Sequence, residues 1–344
     1  MKNKIKNIDK IHSLDKQLLL LLDRRISLIK NEKLEYSRIN SKLISKLENC
    51  NTENLHKAMI NSVFSEIFLI TNKYEENNKI AYLGPEGSYT HESAINKFGL
   101  NNNYYSVNSI RNIFFEIEKG RARYGVVPIE NSSNGIVGDT INSLNNYNLN
   151  IVGETILDIH HTLVSNCRNI KDIKTIYSKD IAFDQCSNFL ENYHLNDAKY
   201  VYVDSTTKAA LLAAKTKNSA AICSKLAAKT INIPVLFSNI EDNKDNKTRF
   251  LVISKENIKK TKSDKTSIIV QLPNIYGSLI EFLNDFKNSK INLNKIKSHI
   301  VKGISTFFIE FEGNKSDKKV EKVLKKHNKY IKILGSYPKE IEDI

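Results

Sequence analysis

The sequence predicts a multidomain chain with an all-α N-terminal segment, an α/β central region and an α+β module at the C-terminus. Three observations predict it. Residues 1–76 contain neither Gly nor Pro and carry helical periodicity. After Asn77-Asn78-Lys79, short β-type runs alternate with helical stretches, as in α/β layers around a mostly parallel sheet. From Thr266 onward the order reads strand, helix, strand, strand, helix, strand, the split ferredoxin-like pattern. A length of 344 residues suits two or three domains at roughly 100–200 residues each.

Taken in order, Ile8, Ile11, Leu14, Leu18, Leu22 and Ile29 recur at steps of three and four or their multiples and predict one long amphipathic helix. Ile60, Val63, Phe64, Ile67 and Ile70 predict a later one, with Asn49–Asn54 as the break. So small a helical piece buries little core alone, and helix exchange or dimerisation is expected. In the central region Ile80–Leu83, Tyr124–Val127, Ile151–Thr155, Thr175–Tyr177, Tyr200–Val203, Ala220–Ile222 and Phe250–Ser254 read as strands. Lys255–Lys265 reads as a charged linker. The tail predicts strands at Thr266–Leu272, Leu293–Val301, Ile304–Glu312 and Tyr330–Leu334, with helices at Gly277–Ser289 and Asp317–Asn328. The domains are therefore placed at 1–76, 79–254 and 266–338.

Composition excludes several classes. The longest aliphatic run, Leu18–Leu22, is far short of the roughly 20 residues of a membrane span. The start lacks the apolar region and cleavage site of a signal peptide, so a cytoplasmic protein with no membrane partner is expected. The net charge of +14 suggests nucleic acid, yet 44 of the 52 basic residues are Lys, scattered, and only 8 are the Arg that reads phosphates and bases bidentately. An anionic small molecule suits the field better. The widely spaced Cys50, Cys167, Cys186 and Cys223 form no Cys-x-x-Cys and are expected as small buried thiols. No metal and no cofactor is indicated, and adjacent His160 and His161 would point to opposite faces of a strand.

The central segments carry the chemistry. Gly84-Pro-Glu-Gly87 lies between a strand and a helix that Ser88 or Thr90 can cap, and it lacks the GxGxxG and GK[ST] spacings. In order there follow Val126-Val-Pro-Ile-Glu-Asn-Ser-Ser-Asn-Gly135, Ile151-Val-Gly-Glu-Thr155, Tyr177-Ser-Lys-Asp-Ile-Ala-Phe-Asp-Gln-Cys186, Asp204-Ser-Thr-Thr-Lys-Ala-Ala210 and Asn246-Lys-Thr-Arg-Phe250. On these motifs the chain resembles the prephenate dehydratase family and, with its flanks, the bifunctional chorismate mutase–prephenate dehydratases of phenylalanine biosynthesis. The resemblance covers nearly the whole chain.

What it implies is a cofactor-free elimination in which prephenate loses water and carbon dioxide to give phenylpyruvate. It implies two α/β lobes like a type II periplasmic binding protein, with the site in the cleft between them. By family match Thr248 is the catalytic hydroxyl, and Glu130, Asn131, Ser178, Gln185, Arg249 and Phe250 bind prephenate. A cation such as Arg249 suits a carboxylate, and a donor suits the departing hydroxyl. By acidity alone Glu130 is an equal candidate donor. Lys179-Asp180 replaces the family's His-Pro after Ser178.

The helical segment resembles the chorismate mutase domain, whose pocket needs inward cations: Arg25 falls on the apolar stripe between Leu22 and Ile29, and Thr71 and Glu75 fall at family pocket positions. Ile8 stands where the family has an Arg, Tyr36 stands near its Lys, and Lys33 or Arg38 could substitute only in a shifted register. An active mutase and a dimerisation module without that chemistry both fit. The tail resembles an ACT domain with phenylalanine as effector. Gly277, Ser278, Leu279 and Ile280 match its helix-entry turn, while Lys297, Ser298, His299 and Ile300 replace the family's Glu-Ser-Arg-Pro. A homodimer or higher homo-oligomer with weakened feedback is expected. The competing reading is a non-catalytic metabolite sensor on the same fold.

Overall fold

The computed structural model describes residues 2–32, 46–47, 49–50, 52–72, 79–100, 102–301 and 303–339. The chain forms two units, residues 1–79 with 98–103, and the remainder.

In the first unit the unbroken periodicity becomes one helix, Lys2–Glu32, followed by Lys57–Asn72. Ile60 is buried, whereas Ile8, Ile11, Leu14 and Leu18 are exposed. From Ile8 to Leu18 the predicted apolar stripe is thus uncovered in the single chain.

Among the described residues the second unit contains three sheets. The first is built from β1 (Lys79–Leu83), β2 (Asn103–Val107), β3 (Tyr124–Asn131), β4 (Gly135–Ile136), β5 (Asn150–Asp158) and β11 (Lys247–Ser254), in the order β2-β1-β3-β11-β5 with β4 on β3. The second contains β6 (Thr162–Ser165), β7 (Thr175–Ser178), β8 (Lys199–Tyr202), β9 (Ser219–Cys223) and β10 (Val235–Ser238), in the order β10-β6-β9-β7-β8. The third contains β12 (Asp264–Val270), β13 (Leu293–Val301), β14 (Ile304–Glu312) and β15 (Ile331–Pro338), in the order β13-β14-β12-β15. Helices Ser278–Asn288 and Lys318–Lys326 complete the strand-helix-strand-strand-helix-strand order foreseen for the tail.

One expectation needs correcting. In place of a mostly parallel sheet there are two mixed ones. β1 pairs β3 in parallel, but β11 runs antiparallel to both β3 and β5. The reason is connectivity: the chain leaves the first sheet after β5 and returns only as β11, so the returning strand enters from the opposite end.

Local sequence explains why these elements form. Ser109, Ser205 and Ser224 each accept a backbone N–H and cap a helix start. In the Ile110–Glu118 helix, Ile110, Ile113, Phe114 and Ile117 line one face and are buried on the first sheet. Gly125 on β3 lets that helix approach, since a Cβ there would lie 2.3 Å from Ile113 Cγ2. Phe282, Phe286, Ile309, Phe311 and Val320 form the core of the third sheet and its helices. Of the cysteines, Cys186 and Cys223 are buried as expected, while Cys50 is exposed because it falls in the inter-helix break.

Candidate active site

The site grows from the pairing of β3 with β11. Their register sets Thr248 opposite Asn131 and Arg249 opposite Glu130. Successive side chains on a strand point to opposite faces, so the two pairs are separated by the sheet.

On one face Asn131 Nδ2 donates to Thr248 Oγ1 over 2.8 Å and to Asn246 Oδ1 over 2.8 Å. Asn131 Oδ1 accepts from the backbone N–H groups of Ser133 (3.0 Å) and Asn134 (3.1 Å). Those two N–H donors fix which end of the amide is oxygen, so the nitrogen must face Thr248. The nitrogen's two hydrogens are shared among Thr248 Oγ1, Asn246 Oδ1 and the Lys247 carbonyl at 3.1 Å, and because the amide nitrogen can only donate, the Thr248 proton is not spent on Asn131.

The opposite face is ionic. Arg249 is 1% exposed. Its Nη1 donates to Glu310 Oε2 at 2.7 Å and approaches Glu154 Oε2 at 3.4 Å. Burial alone would lower the Arg249 pKa, but Glu310, helped by Tyr337 and Glu154, raises it overall. Burial pushes the Glu310 carboxyl up, yet Arg249 and Lys265 hold it below the ordinary carboxylate range. Glu130 is buried and ion-paired with Lys295. The expectation that Arg249 and Glu130 face prephenate thus meets a different arrangement, in which both side chains are turned toward the third sheet. Alternation along the strand dictates this once Thr248 and Asn131 take the other face. Phe250 is 1% exposed and follows a register irregularity between Arg249 and Phe250, so its ring is packed away.

The second sheet contributes from beyond the first crossing. Ser178 ends β7 fully buried, with Oγ donating to the Ile222 carbonyl at 2.9 Å. Gln185 caps the C-terminal end of the Asp180–Asp184 helix, and its Oε1 lies 2.8 Å from His161 Nε2. His161 Nδ1 lies 2.7 Å from the Tyr89 hydroxyl. Burial lowers the His161 pKa, which keeps the ring neutral near pH 7, and burial raises that of Tyr89. Tyr89 belongs to the Tyr89–Phe98 helix beyond the Gly-Pro-Glu-Gly loop, so the chain Tyr89–His161–Gln185 joins the two sheets. His160 turns elsewhere, with Nδ1 2.7 Å from Glu241 Oε1. At the crossings themselves the Ile159 N–H donates to the Asn246 carbonyl at 2.7 Å.

The Gly loop closes the junction. Ser88 caps the helix, donating to the Leu83 carbonyl while accepting from His91 N. Gly87 adopts φ +84°, and its carbonyl accepts from Ser224 Oγ in the second sheet's layer at 2.8 Å. A Cβ at Gly87 would come within 2.9 Å of Ala227 Cα, so only glycine fits this contact.

Sequence reasoning missed Tyr89, His161, Lys295 and Glu310. The partners of His161 come from segments too far apart in the chain for spacing to reveal them. Asn246 sits inside the quoted Asn-Lys-Thr-Arg-Phe motif and could have been found there. Arg25 lies half-buried on Lys2–Glu32. Thr71 falls on Lys57–Asn72, and Glu75, Lys33, Tyr36 and Arg38 lie outside the described residues. Gly277 has φ +81° at the start of its helix, Ser278 Oγ donates to the Pro273 carbonyl, and Leu279 and Ile280 follow. Lys297, Ser298, His299 and Ile300 lie on β13, with Ile300 exposed. Among the described residues no cluster of metal-ligating side chains is found, and no helix is long and apolar enough to cross a membrane.

Comparison with known proteins bears on this geometry. Residues 80–258 match the family described as prephenate dehydratase. A bifunctional chorismate mutase/prephenate dehydratase from Aquifex aeolicus is 35% identical, covering 98% of this chain and 97% of that protein. A prephenate dehydratase from Methanocaldococcus jannaschii is 38% identical over 76% of this chain and 98% of its own. Among solved structures, prephenate dehydratase in complex with L-Phe from Arthrobacter aurescens aligns with a TM-score of 0.70 at 28% identity. The alignment covers 76% of this chain and 90% of that one.

Proposed function

The chain belongs to the prephenate dehydratase family, and on that premise we propose that Thr248 and Asn131 form the reacting edge of its active site. The enzyme converts prephenate to phenylpyruvate, with loss of water and carbon dioxide, in phenylalanine biosynthesis. The observation that carries the site assignment is the Asn131–Thr248 hydrogen bond. With Asn131 donating to Oγ1, the Thr248 hydroxyl passes its proton to the ring hydroxyl, which leaves as water, and regains a proton from solvent as the step completes. The electron pair of the breaking ring–carboxylate bond completes the aromatic ring as carbon dioxide departs. Gln185, oriented by His161, supplies an amide on the opposing side to hold the substrate. The drive toward an aromatic product is large, and hydrogen-bond donors suffice to release the hydroxyl.

The Aquifex protein, named for chorismate mutase as well as prephenate dehydratase, aligns over 98% of this chain, the helical segment included. We read residues 266–338 as an ACT-type regulatory domain and residues 1–76 as a mutase-like segment whose uncovered leucines pair two copies.

Purified protein supplied with prephenate should form phenylpyruvate, and Thr248→Ala should lower kcat by about 10²–10⁴-fold. Full turnover by the Ala variant would remove Thr248 from the mechanism. Chorismate supplied alone reports on the helices. Phenylpyruvate from chorismate establishes a two-step enzyme, and its absence leaves the helices as an assembly module.

A further inference from the structure

We propose that Lys295 and Glu310 of the third sheet are positioning residues for the Thr248–Asn131 pair, acting through Glu130 and Arg249. The inference rests on the assignment of Thr248 above.

Two cross-strand pairs meet face to face. Glu130 and Arg249 are register partners on β3 and β11, and Lys295 and Glu310 are register partners on β13 and β14. Charge alternates between the sheets: Arg249 bonds Glu310, and Lys295 bonds Glu130. A third tie, Lys265 Nζ to Glu154 Oε2 at 2.6 Å, lies beside them. Together these are three cations and three carboxylates, and the charge balances. Ser267 Oγ and the Tyr337 hydroxyl each donate to Glu310 Oε1 at 3.0 Å, which fixes that carboxylate in its own sheet.

The geometry indicates which contacts set the position. Arg249 and Glu130 could satisfy one another directly. Instead Arg249 Nη2 and Glu130 Oε2 stand 3.9 Å apart, and both atoms are buried without a hydrogen bond. The shorter bonds run to the third sheet, so the outer charges decide where these side chains sit. Thr248 and Asn131 are the next residues along the same two strands, and the register irregularity falls one step away. Removing Lys295 or Glu310 would leave a net buried charge and let Arg249 and Glu130 close on each other. That closure would skew the strands at the 2.8 Å Asn131–Thr248 bond, and a displacement of about 1 Å at a reacting group can cost ~10²-fold in rate.

The test uses the full chain with Lys295→Met, Glu310→Gln, the double variant and Lys295→Arg, assayed on prephenate well below each melting temperature. Each single variant should lower kcat about 10-fold or more while KM changes by less than ~3-fold. Lys295→Arg should restore most of kcat. The double variant, which removes one charge of each sign, should lose less than the product of the single losses. Folded single variants with lowered melting temperature but wild-type kcat would show a structural tie only and overturn the proposal. Should the neutral variants fail to fold, Glu310→Asp keeps the charge and shortens the reach. A reduced kcat there supports the proposal, and a wild-type kcat refutes it. Full activity of Thr248→Ala would instead sink the underlying assignment, whatever the charge variants do.

Discussion

At the scale of single residues, environment decides what each side chain can do. Thr248 and Arg249 are neighbours in sequence, yet one is a hydroxyl with its proton free and the other is locked to carboxylates by burial. His160 and His161 divide likewise: the first is exposed beside Glu241 and the second is buried and neutral. The buried ring has a pH consequence. Its folded-state pKa lies below the ordinary value of 6.5, so the unfolded chain takes up a proton there that the native ring refuses. Stability should be fully present above pH 6.5 and fall as pH drops below it toward the native pKa. Melting temperature followed from pH 7.5 to 5.5 should therefore decline, and His161→Gln should flatten part of that slope. The remainder belongs to groups such as His91, whose pKa burial also lowers. A variant with an unchanged slope would remove His161 from the account.

At the scale of elements, what matters is how closely strands from different sheets approach. Gly335 on β15 lies over β5, where a Cβ would fall 2.3 Å from the Ile151 carbonyl oxygen. That neighbour is backbone inside a ladder and cannot rotate aside. Gly335→Ala should force the third sheet off the first at about 1–3 kcal/mol, seen as a melting temperature lower by roughly 2–10 °C. If the charge pairs position Thr248, the same variant should lower kcat as well. Most elements could be read from the sequence because their signals are local. β13 and β14 have the predicted bounds, and the Asp317–Asn328 helix loses only its ends. β2, β4, β6 and β10 are not legible in the sequence for a physical reason. They are two to five residues long, β6 is buried throughout, and so short a run carries no period that separates strand from coil.

At the scale of the whole molecule, the sheets are not independent bodies carried on linkers. The Lys255–Ser263 segment lies outside the strands, but the third sheet is joined to the first by buried ion pairs. An effector bound to the C-terminal module would therefore act on a sheet already in contact with the Thr248 strand. The Arthrobacter relative holds L-Phe, whereas this chain has Lys297, Ser298, His299 and Ile300 where the family motif has Glu-Ser-Arg-Pro. Titration of phenylalanine against prephenate turnover should show weak inhibition. Strong inhibition at micromolar levels would mean that other residues of the module recognise the amino acid.

The sequence by itself determined the order of elements in the C-terminal module, the motif strings and the family to which they belong. Each of these depends on local periodicity or on short contiguous strings. Only the tertiary structure decided which face of β11 each motif residue occupies, that Arg249 and Glu130 turn away from Thr248, and that Lys295 and Glu310 meet them there. Strand direction, register and sheet-on-sheet contact join residues some 165 positions apart, from Glu130 to Lys295, and no local pattern in a single chain encodes such a meeting.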